Sequence, residues 1–581
     1  MPESGQNSNT DTPSLEVKVN GAVMPADYNM VSLVVNSTVN RLSLARLIFL
    51  DGEPATGDFP LSNKADFLPG SEIEIAAGYK GQNVPIFKGI VVKQSLKLQG
   101  TGSTFLTVDC RHSAVKATKA RKNKIFTGRK DSDLFTSLLQ AYGVDADVAD
   151  TPVEHPEMVQ YNCTDWDMIV SRAEANGMLV ITDTDKIKIG KPELGGAAVM
   201  ELRLGVNIIE FDAEMDARHQ FQEVKASGWD MAGQAATEAE GQAPAGLEQQ
   251  GNVSGDDLSG KTGDETMDVK MSTSLTEPEL KAWAESLQQK SALSKIRGRL
   301  KCQGSDKLKP GVIIDMQGVG ERFSGKAFVS AVRHEINQGN WMTDIEIGLS
   351  QEWFIKEHDV NSFPAEGMLP AVSGLQVGIV AQLEEDPLGE DRVLVKLPMV
   401  DNDAQGVWAR HALLDAGKER GSFFRPEVDD EVVVGFVNND PRYPVILGMM
   451  NSSAKPAVVQ AKDTNHEKGF VTREKMKLWF DDEKKIIQLL TPGGNSLQMD
   501  EDQKVVSIKD QNGNEITMSE DGIVIKSIKD ITIEGPSGTI GISGKEFEAE
   551  ASTKATVKGS SSVEVSSSGS AALKGASVMI N

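Results

Sequence analysis

The sequence predicts a mainly β protein with a minor α component. It comprises β-barrel domains over the first 365 residues, a small closed barrel behind them, and a C-terminal triple-stranded triangular β-helix, a prism formed by three copies of the chain. Three observations predict this architecture. Apolar and polar residues alternate at period two between Gly, Pro, Asn and Asp turns through much of the chain. Five short strand candidates crowd into about 80 residues after residue 371. From residue 478 onward, apolar residues recur as i, i+2 pairs thirteen times. At 581 residues the chain exceeds one ordinary domain, and about 150 residues per domain gives three to five folding units.

Residues 1–14 are polar and read as disordered. From Leu15, strands are expected around Val17–Val19, Ser32–Val35, Glu72–Ile75 and Phe105–Val108. Helical signals follow. One begins at Asp131 and runs through Leu139. Another is capped by Asp165 and stops at Asn176-Gly177, with a strand at Met178–Ile181 behind it. Residues 231–268 carry eight acidic residues against one Lys and few large apolar ones, and read as an exposed acidic loop inserted into the 15–365 module. A helix from Glu277 to about Lys295 and further strands to Phe354 close that module. The small barrel spans 371–452, with strands at Leu375–Leu383, Arg392–Leu397, Val407–Ala412, Glu431–Val437 and Pro444–Leu447, the count of an OB-fold. Its aromatics, Trp408, Phe423, Phe424, Phe436 and Tyr443, read as barrel core. Residues 453–477 read as a connector.

The tail, 478–581, carries the most specific pattern. Pairs such as Leu478/Phe480, Ile487/Leu489 and Leu497/Met499 lead to Ala571/Leu573 and Val578/Ile580. Their steps are 9, 10, 9, 10, 7, 8, 9, 7, 8, 8, 8 and 7 residues. A unit of about eight residues cannot fold alone and marks a stacked architecture. A single-chain left-handed β-helix shows a hexad and a right-handed one has long, irregular rungs, so the octad favours a prism with one face per chain. Two inward side chains per strand, many of them Ala or Val, bury little unless two more copies close the axis. Ile523, Ile525, Ile531, Ile533, Ile540, Ile542, Val557, Val563, Val565 and Leu573 are therefore the candidate axis core of a homotrimer. Thirteen rungs at about 4.8 Å give a needle on the order of 60 Å. If the chains end together, Ala576, Ser577, Val578, Met579, Ile580 and Asn581 form a blunt platform whose unpaired edge needs a cap.

Composition removes several function classes. A net charge of −25 disfavours counterion-release binding, so no nucleic-acid partner is expected. Cys110, Cys163 and Cys302 are too few and too scattered for a disulfide framework or a metal site, and read as buried thiols. The seven histidines lack i, i+2 or i, i+4 partners, and no GxSxG, HExxH, P-loop or dinucleotide motif stands in the required context. No catalytic residue, metal ligand or cofactor is assigned. Glu384/Glu385 and Asp429/Asp430 read as turn residues rather than a glycosidase pair. The start lacks a signal-peptide pattern, which places the chain in the cytoplasm before any export.

Several stretches carry a family resemblance. They include Leu68-Pro69-Gly70-Ser71-Glu72-Ile73, Phe87-Lys88-Gly89-Ile90-Val91 and Asp165-Trp166-Asp167 leading to Ala175-Asn176-Gly177. In the barrel they are Arg392-Val393-Leu394-Val395-Lys396, Trp408-Ala409-Arg410, Pro426 to Val434 and Asn439-Asp440-Pro441-Arg442-Tyr443-Pro444. With the needle behind them, they make the chain resemble the VgrG family, the trimeric spike proteins of type VI secretion and related contractile injection systems, which are similar to the hub and spike of phage tails. The resemblance implies a hub that joins a hexameric inner-tube protein and contacts baseplate proteins. It also implies a needle whose end takes a PAAR-type tip protein or effector, with piercing and delivery as its work and export on firing. The alternatives are a phage-tail spike that binds or hydrolyses cell-wall glycans, and an adhesin needle that binds a receptor.

Overall fold

A computed structural model describes residues 12–99, 103–184, 186–263, 265–358, 360, 363–401 and 403–580. Residues 1–11, most of the segment read as disordered, lie outside that set, and strand Pro13–Val19 begins two residues before the expected boundary. The chain divides into two compact units, one of residues 1–373 with 436–442 and the other of 374–435 with 443–581.

The first unit is organised by a 13-stranded sheet. Its main path runs Ile208–Met215, Ile296–Gln303, Asn340–Ile347, Gly325–Asn337, Met30–Thr38, Leu44–Leu50, Thr104–Arg111, Gln82–Leu98, Glu72–Tyr79, Pro13–Val19, Ala22–Val23. Period-two patterning decides which face is buried. Ala45, Leu47 and Phe49 point inward from one strand, and Leu106, Val108 and Cys110 do so from its neighbour. Strand Gly325–Asn337 pairs with both Met30–Thr38 and Asn340–Ile347, so the sheet runs unbroken between two cores. One core gathers Leu33, Phe49, Phe67, Ile75 and Trp341; the other gathers Leu202, Ile208, Leu300, Met316 and Ile345. Cys110, Cys163 and Cys302 are free and buried, as expected, and burial pushes the thiols of Cys110 and Cys302 up to about 12.

A third core holds helices Asp131–Gln140 and Asp165–Ala175, packed through Leu134, Phe135, Ile169 and Ala173. The cap of the second helix is Thr164, not Asp165. Its hydroxyl accepts from the Asp167 N–H at 3.1 Å while Asp167 Oδ2 accepts from the Thr164 N–H at 3.0 Å, a capping box. Asp165 instead sits in the first turn and accepts from Lys122 Nζ and Tyr142 Oη, each at 2.6 Å.

The acidic segment is exposed over most of its length but is not all loop. Ala235–Glu240 pairs with Glu223–Asp230, Thr266–Met271 lies on the other side of the same three-stranded sheet, and Gly255–Thr262 is a helix started by a Ser254/Asp257 capping box. Helix Glu277–Ser294 covers this sheet through Leu280, Ala284 and Leu287. Lys295, mostly buried, donates from Nζ to the Gln250 carbonyl at 2.8 Å and the Val253 carbonyl at 2.9 Å, which pins the segment between. One of its strands, Ala235–Glu240, carries Glu and Ala with no large apolar residue, a pattern that composition alone reads as a loop.

Two of the three buried histidines of this unit give it a pH signature. Burial holds both His112 and His334 down at about 4. His334 Nδ1 lies 2.9 Å from Thr343 Oγ1 and accepts from Trp341 Nε1 at 3.3 Å. Both imidazoles stay neutral in the fold, whereas an unfolded histidine takes a proton near 6.5. The unfolded chain therefore binds more protons between pH 6.5 and 4, and stability falls as pH drops through that window while staying flat above it. The slope from each histidine is about 1.4 kcal/mol per pH unit. Denaturant unfolding of the hub at pH 7.5, 6 and 5 checks this; equal stability at all three contradicts it.

In the second unit, Gln376–Gln382, Val393–Lys396, Val407–His411, Pro444–Met449 and Glu431–Phe436 close into a five-stranded barrel. Its core is aliphatic: Val380, Val393, Val395, Ala409, Val432, Val434 and Ile446. The aromatic reading of the core is corrected here, since Phe423 and Phe424 are 78% and 55% exposed and Tyr443 is exposed too. Phe423 and Phe424 stand on the loop before Glu431–Phe436, outside the period-two register of the wall.

Strands Glu467–Val471, Lys477–Asp481, Ile486–Leu490, Ser496–Asp500, Val505–Lys509, Glu515–Ser519 and Gly522–Lys526 then form a seven-stranded antiparallel meander. It begins inside the expected connector. Five-residue strands are joined alternately by turns of four (482–485, 501–504) and five residues (491–495, 510–514), then by a two-residue turn at 520–521. That arithmetic produces the steps of 9, 10, 9, 10 and 7. The first six pairs are thus the rungs of an antiparallel meander within one chain, not of a one-way octad. Beyond Lys526 no strand occurs among the described residues.

Candidate assembly face

Each meander strand sends its second and fourth residues to one side. The register stacks Leu478 on Leu489, Leu489 on Leu497, Leu497 on Ile508, Ile508 on Ile516 and Ile516 on Ile525. In parallel, Phe480, Ile487, Met499, Val506, Met518 and Ile523 form a second column. Two columns of six apolar side chains therefore cover one face of the sheet, over about 25–30 Å at the usual strand spacing. In the single chain this face is open: Phe480, Ile487, Leu489, Met499, Ile508, Met518, Ile523 and Ile525 are exposed and the other four only half-buried. An apolar surface of this extent marks an interaction site.

The opposite face is mixed, with Ile486, Leu490, Val505 and Val524 among its polar residues. Trp479, Gln488, Gln498, Ser507 and Thr517 lie in one cross-strand row, with Gln488 Nε2 donating to Gln498 Oε1 at 2.7 Å. Ion pairs Lys509–Glu515 at 2.9 Å and Lys485–Asp502 at 2.8 Å flank this row, while Asp500 and Ser507 on the same face are buried. Asp carboxylates tie the turns. Asp481 Oδ1 accepts from the N–H groups of Glu483 and Lys484, and Asp510 Oδ1 from those of Asn512 and Asn514. The Asn514 N–H is the main reason that the Asp510 carboxyl is held down at about 2. The sequence reading missed this polar row and these turns, although Asp-x-x-Lys and Asn-Gly pairs signalled them.

Of the candidate axis residues, Ile523 and Ile525 lie on the last strand, facing Met518 and Ile516. Ile531, Ile533, Ile540, Ile542, Val557, Val563, Val565 and Leu573 follow, outside any strand, and all are exposed. So are Ala576, Ser577, Val578, Met579 and Ile580; Asn581 lies outside the described residues. Every described residue from 531 to 580 is exposed. Among the described residues no cluster of His, Cys, Asp and Glu is arranged to hold a metal, and no helix is long and apolar enough to cross a membrane.

Among solved structures, the fold is similar to a 43 kDa tail protein of prophage MuSo2 from Shewanella oneidensis. That match has 12% identity and a TM-score of 0.44, and covers 58% of this chain and 99% of that one. A tail protein from Neisseria meningitidis MC58 matches at 14% identity and a TM-score of 0.43, over 59% of this chain and 98% of that one. The E. coli c3393 protein, described as a component of the type VI secretion system, matches at 12% identity and a TM-score of 0.38, over 75% of this chain and 99% of that one. No curated protein matches the chain. Residues 376–450, which contain the closed barrel, match the type VI secretion system/phage-baseplate injector OB domain, and this bears out the resemblance to spike proteins of that class. Residues 9–338, more than half of the chain, match the Alg8 N-terminal domain, and the chain belongs to that family.

Proposed function

We propose that this chain is the hub and needle of a homotrimeric spike in a contractile injection apparatus. In this reading the hub meets a hexameric inner-tube protein and baseplate proteins, and the needle pierces a target envelope and carries a PAAR-type tip protein or effector. The chain itself does no catalysis. The observation that carries the reading is the open two-column apolar face over 478–525, continued by eight candidate axis residues that one chain leaves exposed. Three such faces turned to a common axis bury one another, and closure removes the open sheet margins that invite aggregation. The injector-type OB domain directly before this face supports the same reading.

Val565→Asp tests it. In a lone chain Val565 is 84% exposed, and the substitution would cost nothing. In a trimer it sets three carboxylates around one axis, and unpaired buried charge costs several kcal/mol per trimer. The expected result is a clear drop in trimer Tm; an unchanged Tm puts Val565 on the outside. For the tip, removing residues 577–581 is expected to abolish capture of the genetically adjacent tip protein in a pull-down while barely lowering Tm, because about a dozen rungs remain. Undiminished capture places the cargo elsewhere.

A further inference from the structure

The first unit contains two small sheets of opposite charge, each with an open margin. Lys122–Lys130 pairs only with Glu154–Cys163, and among the described residues no third strand joins either side. Its sequence, Lys-Asn-Lys-Ile-Phe-Thr-Gly-Arg-Lys, holds four basic residues and no acidic one, in a chain of net charge −25. Lys122 and Lys130 meet Asp165 and Asp150, but Lys124 and Arg129 have no carboxylate partner among the described residues. On the strand pair, Ile125, Val159 and Tyr161 are 65%, 57% and 63% exposed, with Ile125 directly opposite Val159. The Glu154–Cys163 margin carries Pro156, which has no N–H to offer a further strand. The Lys122–Lys130 margin is the receptive one.

The second sheet is the complement. Ala235–Glu240, Ala-Ala-Thr-Glu-Ala-Glu, forms one margin of its three-stranded sheet and is bonded on one side only. Glu238 has no cationic partner among the described residues, and Glu240 only a distant one, Lys225 at 3.7 Å. Trp229 and Met231, at the end of the adjoining strand, are both exposed. No ladder joins these two margins within one chain. Lysines along an edge normally keep other strands away; here they admit an acidic strand and repel a basic one.

We propose that in the assembled trimer the Lys122–Lys130 margin of one copy takes the Ala235–Glu240 margin of the next as an added strand, with Lys122 and Lys124, two residues apart on one face, meeting Glu238 and Glu240, which share a face in the same way. Two different, complementary patches on one chain make a head-to-tail contact, which closes into a ring rather than an isologous dimer. The contact links neighbouring hubs at a place remote in sequence from the needle. This inference rests on the trimeric reading above.

Zero-length carbodiimide coupling of the purified full chain tests it, because only Lys and Glu already in contact form an amide. Denaturing gels are expected to show bands of two and three chains. Peptide mass spectrometry should map their links to Lys122 or Lys124 joined to Glu238 or Glu240. Lys122→Gln with Lys124→Glu removes these links, and adding Glu238→Lys with Glu240→Lys restores coupling between the same two strands. A trimer by light scattering in which this pair of strands is never coupled, or is coupled only within one chain, overturns the contact: the lysines then serve only to keep the edge unpaired. A monomeric full chain overturns the trimer itself.

Discussion

Ending the chain at Lys462 is expected to convert a trimer into a hub that is monomeric or only weakly associated, as read by light scattering of both forms at equal concentration. The truncation removes the entire meander and the octads behind it, and with them both apolar columns. Burying a Val, Leu, Ile, Phe or Met side chain fully is worth about 1.5–3 kcal/mol, and each chain presents twelve such side chains on the meander face alone. Ordering three chains opposes that gain, but no other continuous apolar ladder of this length occurs in the described residues. A truncated hub that stays trimeric would move the main assembly surface into the first 462 residues, and a monomeric full-length chain would end the spike reading.

The second large effect is expected from deleting residues 231–268. A solvated loop would be dispensable, because changes in loop length cost little. Here the deletion removes strand Ala235–Glu240, part of Thr266–Met271 and the helix Gly255–Thr262. It uncovers Val224 and Ala226, which are fully buried, and strips helix Glu277–Ser294 of the sheet it packs on. The expected outcome is loss of soluble protein, read as yield after clarification. Lys295→Met is the milder probe. It leaves the Gln250 and Val253 carbonyls without their donor, at a cost of about 1–3 kcal/mol. A soluble deletion variant with unchanged Tm would restore the loop reading.

Where the sequence misled, the reason is local chemistry. Val, Ile and Leu at period two announced the hub strands and the barrel walls, because a pleated backbone offers one face to the core and one to water. The same rule failed at 235–240, where the half-buried residues are Thr237 and Ala239 and the outward ones include both Glu, so the strand carries almost no apolar signal. It failed differently at the aromatics of the barrel. Phe423 and Phe424 are large and apolar, but their stretch belongs to a loop, and Phe424 stacks on Phe470 of the first meander strand at 5.1 Å instead of entering the barrel. In the tail the pairs were legible, while their direction was hidden in the alternation of nine and ten, the mark of hairpins on two sides of a sheet. The basic strand Lys122–Lys130 went unrecognised, because a chain of strongly acidic net charge was read as having no Lys/Arg-rich run.

The orientation of the meander strands bears on what kind of force this region withstands. Each strand lies across the direction in which the rungs accumulate, so the ladder hydrogen bonds point along that direction. Thrust along the stack presses donors and acceptors together, and every rung shares the load at once. Traction on the C-terminal end does the opposite. It concentrates on the terminal rung and peels strands away one at a time, each hairpin releasing its five residues before the next is strained. The same ladder is therefore stiff in compression and weak in tension, which makes the region a strut that transmits a push and yields to a pull.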